Sequence, residues 1–315
     1  MHAVKKPVSK LRLRHHDLIG IADLDAGDIT DILDLSEHYV VQNRRKSQTQ
    51  ALLKGLVLFN LFLENSTRTR LSFELAAKRL GADVINLSAE GSSIQKGESF
   101  LDTLKTVNAM RPDIAVIRAK PEGAAHQAAE ILDCPVLNAG DGINEHPTQA
   151  LLDALTLRRH FGRIEGLKIA ICGDIKHSRV AHSNLILLEK LGAEVMVAGP
   201  AELLPPGQKN AAPINDALKN ADAVMVLRIQ KERLTQQLSF TEEKYFKDYG
   251  LTQDRLTLAK PTAVVLHPGP MNRGVEIDPA IADDLSRSLI TVQVEMGVAV
   301  RMACLDLMTR TLRAV

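Results

Sequence analysis

Arg79-Leu80-Gly81-Ala82-Asp83-Val84 and Lys190-Leu191-Gly192-Ala193-Glu194-Val195 are two versions of one local pattern, and they decide how the chain is built. In each, a helical pattern ends at a glycine, which closes a helix without strain, and an apolar strand follows at once. A second pair repeats the echo: Asp113-Ile114-Ala115-Val116-Ile117-Arg118 matches Asp222-Ala223-Val224-Met225-Val226-Leu227-Arg228. Halves that resemble each other and alternate strands with helices read as parallel βαβ units, twice over.

Working outward, the first half offers strands over 56–63, 83–87, 113–118 and 136–138, with helices over 66–80, 98–110 and 123–132. The second offers strands over 168–172, 194–198, 223–227 and 263–266, and a helix over 179–191. Two longer helical patterns join the halves. One runs over 146–161, with Pro147 at a favourable first-turn position; the other, over 286–312, is apolar on almost every face around Gly297. The expected fold is α/β: two domains, each a parallel sheet flanked by helices, linked by two interdomain helices. Residues 1–147 with 298–315 form one domain and 148–297 the other. The segment 230–252 is charged and poorly periodic, and reads either as a mobile loop over a site or as a plain surface excursion.

The composition limits the function. A length of 315 residues suits two domains, and a formal net charge of +1 gives no global attraction to nucleic acid or an anionic membrane, so any anion site is local. Cys134, Cys172 and Cys304 lie far apart without a CxxC pair, which reads as free thiols in a reducing cytoplasm. The basic start, Met1 to Arg14, lacks the apolar stretch of a secretory signal, and no apolar run approaches the roughly 20 residues of a membrane helix.

The richest chemistry lies in Glu64-Asn65-Ser66-Thr67-Arg68-Thr69-Arg70-Leu71-Ser72-Phe73-Glu74, where a strand turns into a helix. The first helical N–H groups have no intrahelical partner and the dipole favours an anion. Ser66, Thr67 and Thr69 add hydroxyl donors, and Arg68 adds a planar cation for phosphate oxygens. A capped helix with surface arginines would explain Ser66 alone; the run of hydroxyls around Arg68 favours phosphate. There is no GxxxxGK[ST] loop, and Gly173 lacks the partners of a dinucleotide fingerprint. Arg118 and Arg228 each end a strand, where ligands of open parallel sheets collect, although a solvated arginine at a strand edge reads equally well for either alone. His146 is either a structural histidine at a helix start or, with Gln149 one turn on, part of a site.

Together these residues resemble the aspartate/ornithine carbamoyltransferase family. Ser66-Thr67-Arg68-Thr69-Arg70 is similar to its carbamoyl-phosphate motif. His146-Pro147-Thr148-Gln149 matches a second motif in its aspartate form, where ornithine members usually carry cysteine in place of Thr148. Asp174-Ile175-Lys176-His177-Ser178-Arg179 resembles the segment that supplies a substrate arginine, and Arg228-Ile229-Gln230-Lys231-Glu232-Arg233 a further aspartate signature. His267-Pro268-Gly269-Pro270 matches too, where ornithine members typically have His-Cys-Leu-Pro. The match runs in order from about Gly20 to Leu312.

The resemblance implies transfer of a carbamoyl group from carbamoyl phosphate to L-aspartate, the committed step of pyrimidine synthesis, with no covalent intermediate, metal or cofactor. It puts Ser66, Thr67, Arg68 and Thr69 on the phosphate, and Thr69, Arg118 and His146 on the carbonyl oxygen. Gln149 and the backbone carbonyls of Pro268 and Gly269 accept from the carbamoyl NH2, and Pro270 is counted with them in the carbamoyl phosphate site. Arg179 would hold the α-carboxylate of aspartate, and Arg228 and Gln230 its side-chain carboxylate. In the family, the residues matching Ser93 and Lys96 reach a neighbouring subunit's site, which implies a homotrimer with shared active sites. The loop here is one residue shorter than in some relatives, with one lysine instead of two. Two trimers joined by regulatory chains remain open, as does a dihydroorotase-like partner; no nucleic acid or membrane is implied, and the cytoplasm is the expected compartment. Gly269–Pro270 is a candidate cis bond by resemblance, against the general preference for trans. Arg68, Lys96, Arg118, Arg179 and Arg228 would repel one another when empty, favouring an open ligand-free state. Ornithine as the amine, a catalytically silent scaffold and a phosphometabolite-binding protein are the competing readings. A cationic amine would want an acidic partner where Arg228 and Gln230 stand, a scaffold would have lost some of these residues, and a binding protein would show no turnover.

Overall fold

The computed structural model describes residue 11 and residues 13–45, 50–88, 96–234, 237–310 and 312–313. The chain forms two compact units. One takes the chain up to Leu155 and again from Val294; the other is Thr156–Gln293.

The first unit runs α1 (Ala26–Arg44), β1 (Val57–Phe62), α2 (Thr67–Leu80), β2 (Asp83–Ser88), α3 (Phe100–Ala109), β3 (Ile114–Ala119), α4 (Ala124–Ile131) and β4 (Val136–Asp141). Its four strands are parallel, in the order β2-β1-β3-β4. Helix α5 (Pro147–Phe161) begins in this unit. The second unit contains β5 (Lys168–Cys172), α6 (Arg179–Lys190), β6 (Glu194–Ala198), α7 (Ile214–Leu218), β7 (Ala223–Val226), α8 (Glu242–Tyr249), α9 (Gln253–Leu256), β8 (Val264–Leu266) and α10 (Pro279–Asp283). Its sheet order is β6-β5-β7-β8, again all parallel, so the two sheets share one topology and the sequence echo has a structural cause. Helix α11 (Ile290–Met308) ends in the first unit.

Central strands read as unbroken apolar runs because both faces of a parallel sheet are covered. All but the first residue of β1 and every residue of β7 are buried. The edge strand β2 is largely exposed, whereas the β4 edge is covered at Leu18, whose N–H donates to the Val136 carbonyl over 2.9 Å. Gly81 ends α2 at φ 90°, and an added Cβ would lie 2.5 Å from the Gln50 carbonyl oxygen. Gly192 plays the same part after α6, at φ 77°.

Besides the short helices α7, α9 and α10, which the sequence reading did not offer, the structure departs from it in three places. Helix α1 was not anticipated; Asp25 caps it and Asp28 answers from the first turn, an acidic capping box in place of the usual Ser/Thr with Glu/Gln. The segment 230–252 is not a plain loop: a 3-10 turn covers Lys231–Arg233, and α8 follows with Thr241 as its cap. Within α8 only Tyr245 is fully buried, and with Tyr249 one turn on it makes an apolar stripe just two residues long. Finally, β3 and β7 do not end on their arginines. Arg118 is the penultimate residue of β3, and Arg228 lies two residues beyond β7. The three cysteines are buried and free, and burial pushes each thiol up to about 12, which makes them poor nucleophiles. Among the described residues no helix is long and apolar enough to cross a membrane, and no group of His, Cys, Asp or Glu is arranged to hold a metal ion.

Candidate active site

In both sheets the chain order reverses beside the first strand, between β1 and β3 and between β5 and β7. The carboxyl ends of such strand pairs form the crevice where open α/β sheets bind ligands. Each unit places charged motif residues there.

In the first unit, the turn after β1 leads into α2 through Ser66, which is extended at φ −159° and makes no side-chain cap bond. Its hydroxyl is thus not spent on the helix. No acidic residue lies in the first turn of α2, leaving the positive end of the dipole uncompensated there. Thr67 and Arg68 are exposed and Thr69 is buried. Parallel register sets Phe62 beside Arg118, and Leu63 N–H donates to the Arg118 carbonyl over 2.8 Å. The phosphate-type turn and Arg118 therefore share one end of the sheet. The Arg118 side chain, 11% exposed, donates through Nη1 to the Ala139 carbonyl at 3.2 Å, and its Nη2 lies 3.5 Å from Glu64 Oε1. His146 is buried immediately before α5, and its carbonyl accepts from Gln149 N–H at 3.0 Å. Gln149 Nε2 donates to Asp153 Oδ1 over 2.9 Å. Lys96 is exposed, beside Gly97 in a turn with φ 95°. Ser93 lies outside the described residues.

The second unit is organised by a buried carboxylate. Asp174, just after β5, accepts from His177 N–H at 3.1 Å and, through its other oxygen, from Gln230 N–H at 3.0 Å. This ties the turn before α6 to the segment after β7. Arg179, the first residue of α6, is buried behind the Ser178 cap, and Gln230 is half-buried. Arg228 forms a two-pronged pair with Glu232, Nη1 donating to Oε2 at 2.9 Å and Nη2 to Oε1. The pairing raises the guanidinium above its ordinary value and lowers the Glu232 carboxyl to about 2.

His267 Nδ1 accepts from Gly269 N–H at 2.8 Å, so its proton sits on Nε2, which donates to buried Glu276 at 3.2 Å. Asn272 N–H donates to the same Glu276 oxygen. This network holds the Pro268-Gly269-Pro270 turn, in which Gly269–Pro270 is cis. Pro268 and Gly269 are half-buried and Pro270 is exposed.

One expectation changes. Arg118 and Arg228 are not bare cations repelling their neighbours, because Glu64 and Glu232 lie against them. The carboxylates Glu64, Asp153, Asp174, Glu232 and Glu276 also hold the site residues without having been singled out. The i,i+4 spacings Gln149–Asp153 and Arg228–Glu232 were the available signal.

The aspartate/ornithine carbamoyltransferase carbamoyl-P binding domain matches residues 16–159, and the Asp/Orn binding domain of that family matches residues 165–308. The chain belongs to the aspartate/ornithine carbamoyltransferase family. It is 56% identical over 301 residues to the aspartate carbamoyltransferase catalytic subunit of Rhodospirillum centenum, covering 94% of this chain and 95% of that one. The corresponding subunit of Sphingopyxis alaskensis is 56% identical over 308 residues, covering 96% and 90%. Among solved structures, the catalytic subunit of M. jannaschii aspartate transcarbamoylase superimposes with a TM-score of 0.82 at 36% identity, covering 96% and 100%. The Trypanosoma cruzi aspartate transcarbamoylase in complex with carbamoyl phosphate and aspartate gives 0.81 at 30% identity, covering 96% and 98%.

Proposed function

We infer that this chain transfers the carbamoyl group of carbamoyl phosphate to the amine of L-aspartate, giving N-carbamoyl-L-aspartate and phosphate, a step of pyrimidine biosynthesis. The observation that carries the reading is the pair of arginine-bearing strand ends. One lies beside an anion-binding helix start, in the register of Phe62 with Arg118; the other carries Arg228 and Gln230, tied through Asp174 to the turn before Arg179. A phosphate and a dicarboxylate are the ligands that such sites suit.

The chemistry follows from the donors. Ser66, Thr67, Arg68 and Thr69 hold the phosphate at the α2 start. Thr69, Arg118 and His146 polarise the carbonyl and stabilise the oxyanion formed when the amine attacks; collapse of that intermediate breaks the C–O bond and expels phosphate, which takes the proton the amine loses. Gln149 and the carbonyls of Pro268 and Gly269 accept from the carbamoyl NH2. Arg179 grips the α-carboxylate, and Arg228 with Gln230 the side-chain carboxylate, so that the amine is aimed and not merely bound. The unit that takes the chain up to Leu155 and again from Val294 serves as the carbamoyl-phosphate domain, and Thr156–Gln293 as the aspartate domain, so the boundaries lie at 155/156 and 293/294 and not at 147/148 and 297/298.

The active form is a homotrimer in which Lys96 serves a neighbouring copy's site. Its exposure supports this, as do Leu71 and Leu75 exposed on one face of α2 and Ile85 exposed on the uncovered edge strand β2. A colorimetric ureido assay tests the function: carbamoyl phosphate and L-aspartate should give a ureido product and phosphate in equal amounts. Phosphate release without ureido product would contradict it.

A further inference from the structure

The contact assigned above to Gln149 requires its amide to face one way. Only Oε1 can accept from a carbamoyl NH2; turned over, the amide would set two NH2 groups against each other. Gln149 and Asp153 stand one turn apart on α5, and both are buried. The Gln149 Nε2–Asp153 Oδ1 bond is 2.9 Å long. An ionised carboxylate can only accept, so this bond allows a single orientation of the amide.

We propose that Asp153 is a positioning residue, which by accepting from Gln149 Nε2 turns the Gln149 carbonyl oxygen toward the carbamoyl NH2. The proposal rests on the reading of Gln149 as a carbamoyl contact. It needs Asp153 to stay ionised although no part of it is exposed, since a protonated carboxyl could donate and release the amide. Arg301 of α11 brings a buried positive charge into the field of Asp153. It is buried, and its guanidinium lies 4.9 Å from the centre of the Phe73 ring. Burial lowers Arg301 to about 10, which leaves it charged at neutral pH. Gly297, one turn earlier, leaves the guanidinium its space: a Cβ there would lie 2.6 Å from Arg301 Nη1 and 3.2 Å from Leu152 Cδ2. Gly297 thus lies between Arg301 and Leu152, the residue before Asp153.

Calorimetric titration of the intact protein with carbamoyl phosphate, acetyl phosphate and inorganic phosphate tests this. Acetyl phosphate carries a methyl group in place of the NH2, so only carbamoyl phosphate senses the orientation of the amide. Asp153→Ala is expected to weaken carbamoyl phosphate binding by about 5- to 10-fold, as for loss of one oriented hydrogen bond, while the other two ligands stay within about 2-fold. If all three ligands weaken together, or none does, the proposal is overturned. Should that variant not fold, the isosteric Asp153→Asn decides. Its amide can accept or donate, so a smaller fall confined to carbamoyl phosphate is expected, and an unchanged ligand preference overturns the proposal. Gln149→Ala separates the two claims. If that variant keeps the wild-type preference, the Gln149 contact itself fails; if it loses the preference while the Asp153 variants keep it, only the positioning role fails.

Discussion

Arg118 is held from both sides, by the Ala139 carbonyl and by Glu64, at the end of β3 beside the α2 start. A guanidinium fixed in this way is already oriented when negative charge develops, which is what separates transition-state stabilisation from simple binding. Arg118→Ala should therefore lower kcat by at least about 10²-fold. Steady-state kinetics that show normal kcat with only a raised KM would remove the oxyanion role. Arg228 makes a different prediction through Glu232. That carboxyl is lowered from 4.5 to about 2, chiefly by its bonds to Arg228, so the folded state holds its proton less tightly than the unfolded chain. Its contribution to stability is complete above pH 4.5 and disappears as pH falls toward 2. Calorimetric melting should show a Tm difference between wild type and Glu232→Gln that shrinks across this window. The difference will be small because Glu232 is half exposed, and a gap that widens toward low pH would contradict the pairing.

At the scale of elements, the α2–Gly81–β2 corner connects sequence to fold most directly. Gly81 sits at φ 90° with the Gln50 carbonyl 2.5 Å from where a Cβ would be, so Gly81→Ala meets both backbone strain and a clash. A loss of about 1–3 kcal/mol in denaturant unfolding is expected, and unchanged stability would show that the corner relaxes freely. This corner was legible because a helix stop followed by an apolar strand is a local signal, given twice in the chain. Helix α1 was not legible, since its cap uses Asp25 and Asp28 in an unusual acidic pair. Helix α8 was hidden for another reason: it buries only Tyr245, which stacks 5.6 Å from Phe240 and 5.8 Å from Tyr249. The site divides along the same line. Cations and hydroxyls were readable because their chemistry is carried by residue type. The carboxylates have roles fixed by which donor each one meets: for Asp153 and Glu232 the i,i+4 spacing was a weak signal, whereas for Asp174 and Glu276 only three dimensions supply the partner.

At the scale of the whole molecule, shared sites can be tested by mixing. Lys96→Ala and His146→Ala should each give nearly inactive assemblies. If Lys96 serves a neighbour's site, hybrids gather both defects into some sites and leave others intact, so activity should return when the two variants are dissociated and reassembled together. No recovery, with hybrids verified by native mass, would mean that each chain completes its own site. The identity of the amine remains the central claim, and charge decides it. Arg179, Arg228 and Gln230 match two carboxylates around one amine, whereas ornithine would bring an ammonium toward Arg228. Asparagine keeps the shape but brings no second carboxylate to Arg228, which already holds Glu232. The deciding measurement is the ureido assay with aspartate, asparagine and ornithine at matched concentration, on wild type and Arg228→Ala. The account predicts turnover with aspartate, very weak turnover with asparagine, none with ornithine, and a reduced preference for aspartate over asparagine in the variant. Comparable rates with ornithine and aspartate would contradict it.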